Sequence, residues 1–271
     1  PGHINVGADL IGQAKRLKMI HCGTGYNNVD LDAANKQGAY VAVTPNVAAQ
    51  SVAELVFASI LTLAKRIHTL DATMKSGGWK TTDFIDVPEL KGKNFGIVGY
   101  GHTGKASARI ARGFGMNLIA HDPHIRIDEP DVKASSLDEL LKASDFITLH
   151  VLLTPQTKGF IGKPQLDMMK KTAILVNACR GPVVQEAAII EALKARTIGG
   201  ACLDVFEKEP LAKDSGLRKL DNVILTPHIA YCANEALAGR YQFFAENCQL
   251  IANGLVPKMA VNADKVPVGR R

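Results

Sequence analysis

The chain has no apolar run long enough to cross a bilayer. The longest, near Leu55 to Ala64, falls far short of the ~20 residues a spanning helix needs, and no signal-peptide pattern opens the sequence. A membrane partner is not expected. There is no CxxC pair, and the cysteines are odd in number: Cys22, Cys179, Cys202, Cys232 and Cys248. That excludes a disulfide framework and points to a reducing cytoplasm. There is no run of Lys or Arg either. The formal charge of +6 arises from 32 basic and 26 acidic residues spread thinly along the chain. It reads as a solvated basic surface that suits a small anionic ligand and gives nucleic acid no footing. Low-complexity tracts and internal repeats are absent, and so is an initial methionine: the first residue is Pro1.

What is present is a chain of 271 residues with 46% hydrophobic content, enough to build two domains. From about Lys93 to Pro227, short apolar runs alternate with amphipathic helical stretches such as Glu186–Arg196. The runs are Phe95–Val98, Leu118–Ala120, Phe146–Val151, Ala173–Val176, Ala201–Val205 and Val223–Leu225. They lack polar alternation, as strands buried on both faces do, so the expectation is an α/β fold with a doubly wound parallel sheet.

Ahead of this block, Ser51 and Glu54 form an S-x-x-E capping box. The helical stripe Leu55, Val56, Leu63, Ile67, Leu70 and Met74 follows, and Gly77-Gly78 ends it. One long helix is expected. Residues 1–45 hold two further strands, Leu17–Cys22 and Tyr40–Val43, a loop with Gly23 and Gly25, and a short helix near Leu31–Lys36. These cannot close a core alone. A last helix, about Asn234 to Asn253, can return to them. The division expected is therefore residues 1–45 as part of one domain, 46–228 as the second, and 229–271 as the return.

Residues 99–104 read Gly-Tyr-Gly-His-Thr-Gly after an apolar strand and at the opening of a helix, and Asp122 ends the next strand. All three contexts of a dinucleotide site are met. Gly99 allows the tight turn, Gly101 lets the backbone approach a pyrophosphate, and Gly104 lets helix and strand pack closely. The helix N-terminus, through His102 and Thr103, supplies N–H groups and positive partial charge. Asp122 is expected to accept from the adenosine ribose hydroxyls and to repel a 2′-phosphate, which favours NAD. Arg126, four residues on, could admit some NADP.

Three segments follow in order: NACRGPVV (Asn177–Val184), LDVFEKEP (Leu203–Pro210) and TPHIA (Thr226–Ala230). GTGYNNVDLDAA (Gly23–Ala34), TPNVAAQSVAE (Thr44–Glu54) and HVLLTPQTKGFIG (His150–Gly162) stand elsewhere in the chain. With the glycine-rich turn, they resemble the D-isomer-specific 2-hydroxyacid dehydrogenases over nearly the whole chain. The resemblance implies a Rossmann domain beside a flavodoxin-like substrate domain, here partial. It implies hydride transfer between NAD(H) and a small 2-hydroxy or 2-oxo acid such as glyoxylate, hydroxypyruvate or pyruvate.

The reduction needs a cation for the carboxylate and ketone, and a proton for the new alkoxide. Arg180 suits the first task through its permanently charged planar fork. His228 suits the second, because imidazole titrates near neutral pH. By residue type, Glu207 and Glu209 are both candidates to hold that imidazole. The family's pattern, with the carboxylate five residues after the strand-end Asp, selects Glu209. The catalytic set implied is thus Arg180, Glu209 and His228. The resemblance further assigns Asp204 to the nicotinamide carboxamide, Ala178, Cys179 and Val52 to the nicotinamide pocket, and Thr157 to the adenosine side. Thr24 and Gly25 offer backbone N–H groups to the substrate carboxylate.

Cys179, Pro182, Gln185, Leu152 and the polar pair His102-Thr103 depart from the family's usual residues, which bears on substrate preference. His121 and His124 flank Asp122 without a third ligand in reach, so no metal is expected. Relatives usually carry roughly 50 more N-terminal residues, so a chain missing the start of its substrate domain is expected. The stripe Ser51–Lys75 and the segment Gly77–Leu90 resemble the region through which the family forms homodimers. Competing readings are a formate or phosphite dehydrogenase, against which Thr24 and Glu209 speak, and an NAD(H)-sensing corepressor of the same fold.

Overall fold

A computed structural model describes residues 4–44, 46–79 and 87–266. The chain divides into two compact units, one of Pro1–Ala48 with Cys232–Arg271 and the other of Ala49–Tyr231. In the smaller, α1 (Ala8–Gln13), β1 (Met19–Cys22), α2 (Leu31–Gln37) and β2 (Tyr40–Val43) follow in order. The two strands pair in parallel, with Met19 opposite Tyr40. Asp30 caps α2 by accepting the Ala33 N–H at 2.9 Å, and Gly38 ends it in the left-handed conformation. Ile11, Val29, Ala34 and Val41 form its core.

The larger unit opens with α3 (Ala49–Ala64) and α4 (Ile67–Lys75). The single long helix expected there is two, and α3 begins before Ser51, so Ser51 is not its cap. Arg66 takes a left-handed φ of 53° and breaks the axis. The reason lies in what each half packs against. α3 buries Ala53, Val56, Phe57, Ile60 and Ala64, whereas α4 buries nothing and leaves Ile67 and Met74 exposed. The apolar spacing runs through the break because it records the stripe and not the turn. Within the segment Gly77–Leu90, residues 80–86 lie outside the described residues.

The sheet then forms from β3 (Asn94–Val98), α5 (His102–Gly113), β4 (Asn117–His121), β5 (Val132–Ala134), α6 (Leu137–Ala143), β6 (Phe146–Leu149), α7 (Lys163–Met168), β7 (Ile174–Asn177), α8 (Glu186–Lys194), β8 (Gly200–Leu203) and β9 (Val223–Leu225). Seven parallel strands lie in the order β5-β4-β3-β6-β7-β8-β9. The winding reverses between β3 and β6, and a doubly wound sheet binds ligands at that point, beyond its strands' C-terminal ends. Alternate strand residues enter opposite cores. Phe95 and Ile97 pack with α3 and α5, while Val98 packs with α6, α7 and α8. Sequence reading missed β5, a three-residue edge strand in which only Val132 is buried. The chain returns to the smaller unit as α9 (Asn234–Ala252).

Candidate active site

The glycine turn is built as its sequence requires. Gly99 has φ +94°, and a Cβ there would lie 2.6 Å from the His150 carbonyl oxygen. A Cβ on Gly104 would lie 2.3 Å from the Gly99 oxygen. Nothing stands within 4 Å of the Cβ position at Gly101, so the face over the start of α5 is open. Gly101, at the N-cap, has no side chain to cap α5, which starts at His102 and Thr103. Open space above uncapped N–H groups at a helix N-terminus fits a pyrophosphate.

Asp122 fastens this turn. Its Oδ2 accepts the Tyr100 N–H at 2.8 Å, and its Oδ1 accepts those of His124 and Ile125 at 2.8 and 3.0 Å. Burial acts to raise its pKa, but the three N–H donors outweigh it and hold the carboxyl below the usual carboxylate range. The carboxylate stays charged, with lone pairs left for ribose hydroxyls. Arg126 is exposed and paired with Asp128 at 2.6 Å. His121 donates through Nδ1 to the Ser135 carbonyl at 3.0 Å.

Beyond β6, His150 sets its Nε2 3.0 Å from the Ser107 hydroxyl on α5 and 3.1 Å from that of Thr148. Burial of the imidazole lowers its pKa to about 3, so it is neutral in this link between sheet and phosphate-facing helix. Sequence reading quoted His150 only as part of a motif; its position at a strand end was the available signal. Thr157 spends its hydroxyl on its own loop, donating to the Leu152 carbonyl at 2.5 Å and accepting the Thr154 N–H at 2.8 Å.

β7 delivers Ala178, Cys179 and Arg180. Asn177, buried at its end, shapes the turn: its Oδ1 accepts from the Cys179 N–H and Sγ at 3.1 Å, and its Nδ2 donates to the Arg180 carbonyl at 3.0 Å. Burial pushes the Cys179 thiol up to about 11, which makes it a poor nucleophile. A Cβ on Gly181 would lie 1.8 Å from the Phe206 carbonyl oxygen. Only glycine lets the Arg180 turn pack onto the loop carrying Glu209. The half-buried Arg180 donates through Nη1 to the Cys179 carbonyl at 2.6 Å.

The His228 loop is strapped to β8. His228 has a left-handed φ of 56°, a conformation that surrounding bonds must hold. Its N–H donates to the Asp204 carbonyl at 2.8 Å. The buried Asp204 carboxylate accepts from the Thr226 hydroxyl at 2.6 Å and from the Ile229 and Ala230 N–H groups at 2.9 Å. Within this unit the His228 Nδ1 meets the Glu209 Oε2 at 2.7 Å, and Oε1 of Glu209 accepts the Phe206 N–H at 3.0 Å. Glu207 instead accepts the Glu186 N–H at 2.9 Å, away from the imidazole. The Tyr231 ring stands edge-on to His228, with centroids 6.0 Å apart.

A small recess at the ends of β7–β9 is lined by Ala178, Asp204 and Thr226, with Leu55 and Ser59 from α3. Val52, one turn earlier on that helix, does not line it. In the smaller unit, Thr24 is exposed and Gly25 half-buried, in the turn after β1. Among the described residues, no group of three His, Cys, Asp or Glu side chains is placed to hold a metal ion, and no helix is long and apolar enough to cross a membrane.

Comparison with known proteins agrees with this geometry. Residues 57–230 match the model of the D-isomer specific 2-hydroxyacid dehydrogenase NAD-binding domain. The chain is 43% identical over 269 residues to a glyoxylate reductase of Thermococcus litoralis, covering 96% of this chain and 81% of that enzyme. It is 41% identical over 265 residues to a D-3-phosphoglycerate dehydrogenase of Archaeoglobus fulgidus, of whose length it spans 50% while 96% of this chain is covered. A solved D-lactate dehydrogenase of Aquifex aeolicus, complexed with NAD and lactic acid, superposes with a TM-score of 0.84 at 33% identity, covering 92% of this chain and 80% of that one. The open turn over α5, the Asp122 carboxylate and these likenesses converge: the chain belongs to the D-isomer specific 2-hydroxyacid dehydrogenases and is an NAD-dependent oxidoreductase.

Proposed function

We propose that this chain interconverts a small 2-oxo acid and its D-2-hydroxy acid, with Arg180, Glu209 and His228 as the catalytic residues. The observation that carries the reading is the His228–Glu209 contact of 2.7 Å at the C-terminal edge of the sheet, on a loop onto which Gly181 packs the Arg180 turn. NADH supplies the hydride when bound. The turn Gly99–Gly104 holds its pyrophosphate over α5. Asp122 holds the adenosine ribose and disfavours a 2′-phosphate. Thr157 serves the adenosine side, and Ala178, Cys179, Asp204 and Val52 serve the nicotinamide.

Glu209 fixes the imidazole through Nδ1, which directs Nε2 to the reacting oxygen. His228 gives its proton to the oxygen as negative charge grows there, and takes it back in the oxidation. Arg180 binds the carboxylate and draws electron density from the ketone. In the smaller unit, which takes the substrate role in this reading, the Thr24 and Gly25 N–H groups bind the substrate carboxylate.

The relatives named above act, by their names, on glyoxylate and on D-3-phosphoglycerate, so the substrate's far end is where members of this family differ. The exposed Ile67 and Met74 on α4 support a homodimer paired through that helix; sedimentation showing only monomer counts against it. Five free cysteines support a reducing, cytoplasmic setting.

NADH oxidation with glyoxylate, hydroxypyruvate and pyruvate tests the activity. Turnover that falls about 10²- to 10⁴-fold in His228→Gln supports it. NADH binding without turnover of any 2-oxo acid sinks it.

A further inference from the structure

Two carboxylates beside the Arg180 turn hold each other's backbone. Glu207 accepts the Glu186 N–H through Oε1 at 2.9 Å, and Glu186 accepts the Glu207 N–H through Oε2 at 3.4 Å. Glu186 is the first residue of α8, the helix that follows the Arg180 turn. Gln185, at the N-cap, makes no cap bond of its own; its Nε2 donates to the Gly159 carbonyl at 3.0 Å instead. A residue of the loop after β8 therefore does the capping, and it places a negative charge at the positive end of the helix.

The backbone of Phe206 and Glu207 is the centre of this corner. A Cβ on Gly181 would stand 2.6 Å from the Glu207 nitrogen, so this backbone bears directly on the residue after Arg180. The buried Phe206 side chain anchors it on one side. The Phe206 N–H donates to Oε1 of Glu209 at 3.0 Å, and Oε2 of the same carboxylate meets the His228 Nδ1 at 2.7 Å. The Glu186–Glu207 clasp fastens the other side. It brings two like charges together. Burial pushes the Glu186 carboxyl up, the Glu207 N–H draws it back in part, and the Glu207 charge adds to the rise. Local conflicts of this kind concentrate at functional sites.

We propose that Glu207 is a positioning residue. Through its bond to α8 it fixes the backbone at Phe206 and Glu207, on which Glu209 is anchored, and so keeps Glu209 aligned with His228. This rests on the catalytic roles given above to Glu209 and His228. Glu207 itself does not touch the imidazole. What the role needs is an acceptor oxygen that reaches the Glu186 N–H, and the charge is secondary.

The test separates reach from charge. Glu207→Gln keeps an oxygen in reach and loses the charge. Glu207→Asp keeps the charge and falls one methylene short, and Glu207→Ala loses both. NADH oxidation with glyoxylate, hydroxypyruvate and pyruvate is measured for each, alone and combined with Glu209→Gln. The expected result is that kcat falls about 10- to 100-fold in Glu207→Asp and Glu207→Ala, the size of a small misplacement of a catalytic group. Glu207→Gln stays near wild type. The KM for NADH stays the same throughout, and in the Glu209→Gln background the Glu207 substitutions cost little more, because their effect passes through Glu209. Glu207→Asp decides the matter should Glu207→Ala fail to fold. A kcat that falls equally in Glu207→Gln and Glu207→Asp overturns the proposal, since the charge would then be what acts. So does a lowered melting temperature with unchanged kcat, which is support of the fold alone. An undiminished further loss on top of Glu209→Gln overturns it as well. A different result, in which wild type turns over no 2-oxo acid or His228→Gln and Glu209→Gln turn over as wild type does, sinks the catalytic reading and this inference with it.

Discussion

Asp204 holds His228 through two separate groups: its backbone carbonyl accepts the His228 N–H at 2.8 Å, while its carboxylate accepts the N–H groups of Ile229 and Ala230 that follow, both at 2.9 Å. A residue with a left-handed φ of 56° is thereby kept where its ring meets Glu209. Replacing Asp204 by Asn turns one acceptor oxygen into a donor facing N–H groups or the Thr226 hydroxyl. Asp204→Asn is expected to lose about 1–3 kcal/mol of stability and to lower kcat with the misplaced imidazole. Urea denaturation and steady-state rates measure both, and an unchanged midpoint would refute the strap.

Glu209→Gln keeps the shape of the side chain and removes its charge. If Glu209 supports the imidazolium that forms during oxidation, kcat is expected to fall by about 10- to 100-fold. NADH affinity should be unaffected, since the residue is not placed at the glycine turn. A matched loss in NADH affinity would point to a general disturbance of the loop.

The glycines of the turn are expected to separate by function. At Gly101 a methyl group meets open space, so Gly101→Ala should melt near wild type while NADH affinity drops about tenfold or more, a loss of roughly 1.4 kcal/mol. At Gly104 the methyl meets the Gly99 oxygen at 2.3 Å, so Gly104→Ala should cost about 1–3 kcal/mol of stability. Equal melting losses for the two would be incompatible with the open face.

His150 contributes to acid sensitivity. Its folded pKa of about 3 lies below the ordinary imidazole value of 6.5, so between these two values the unfolded chain binds the extra proton. The native state therefore loses stability as pH falls through that window, by about 1.4 kcal/mol per pH unit for one group. His150→Gln is expected to be somewhat less stable at pH 7, where bonds to Ser107 and Thr148 are lost, and to show a shallower acid limb. Parallel limbs in denaturation series taken across the window would show that the imidazole titrates normally.

The glycine turn was legible because Gly99 and Gly104 answer backbone demands that no other residue meets, while Gly101 leaves the face over α5 open. The strands were legible for a similar reason. A strand between two cores needs apolar residues throughout, as Phe95, Ile97 and Val98 show by dividing between the two faces. The division of α3 from α4 was not, because the apolar stripe passes through Arg66 unbroken and only its left-handed backbone separates them. Nor was β5, whose one buried residue makes no pattern.

Local sequence thus determined which segments are strands, where the phosphate-facing helix starts, and which residue types stand ready for acid–base and anion chemistry. The contacts between partners were made by tertiary structure, although the family's pattern already selected Glu209 over Glu207. Glu209 meets His228, Asp122 turns an oxygen onto the Tyr100 N–H of the glycine turn, and Arg240 reaches the turn at Gly23 from the far end of the chain. Such pairs are set by the packing of elements remote in sequence, and a side chain's hydrogen bonds go to whatever donor the fold brings within about 3 Å.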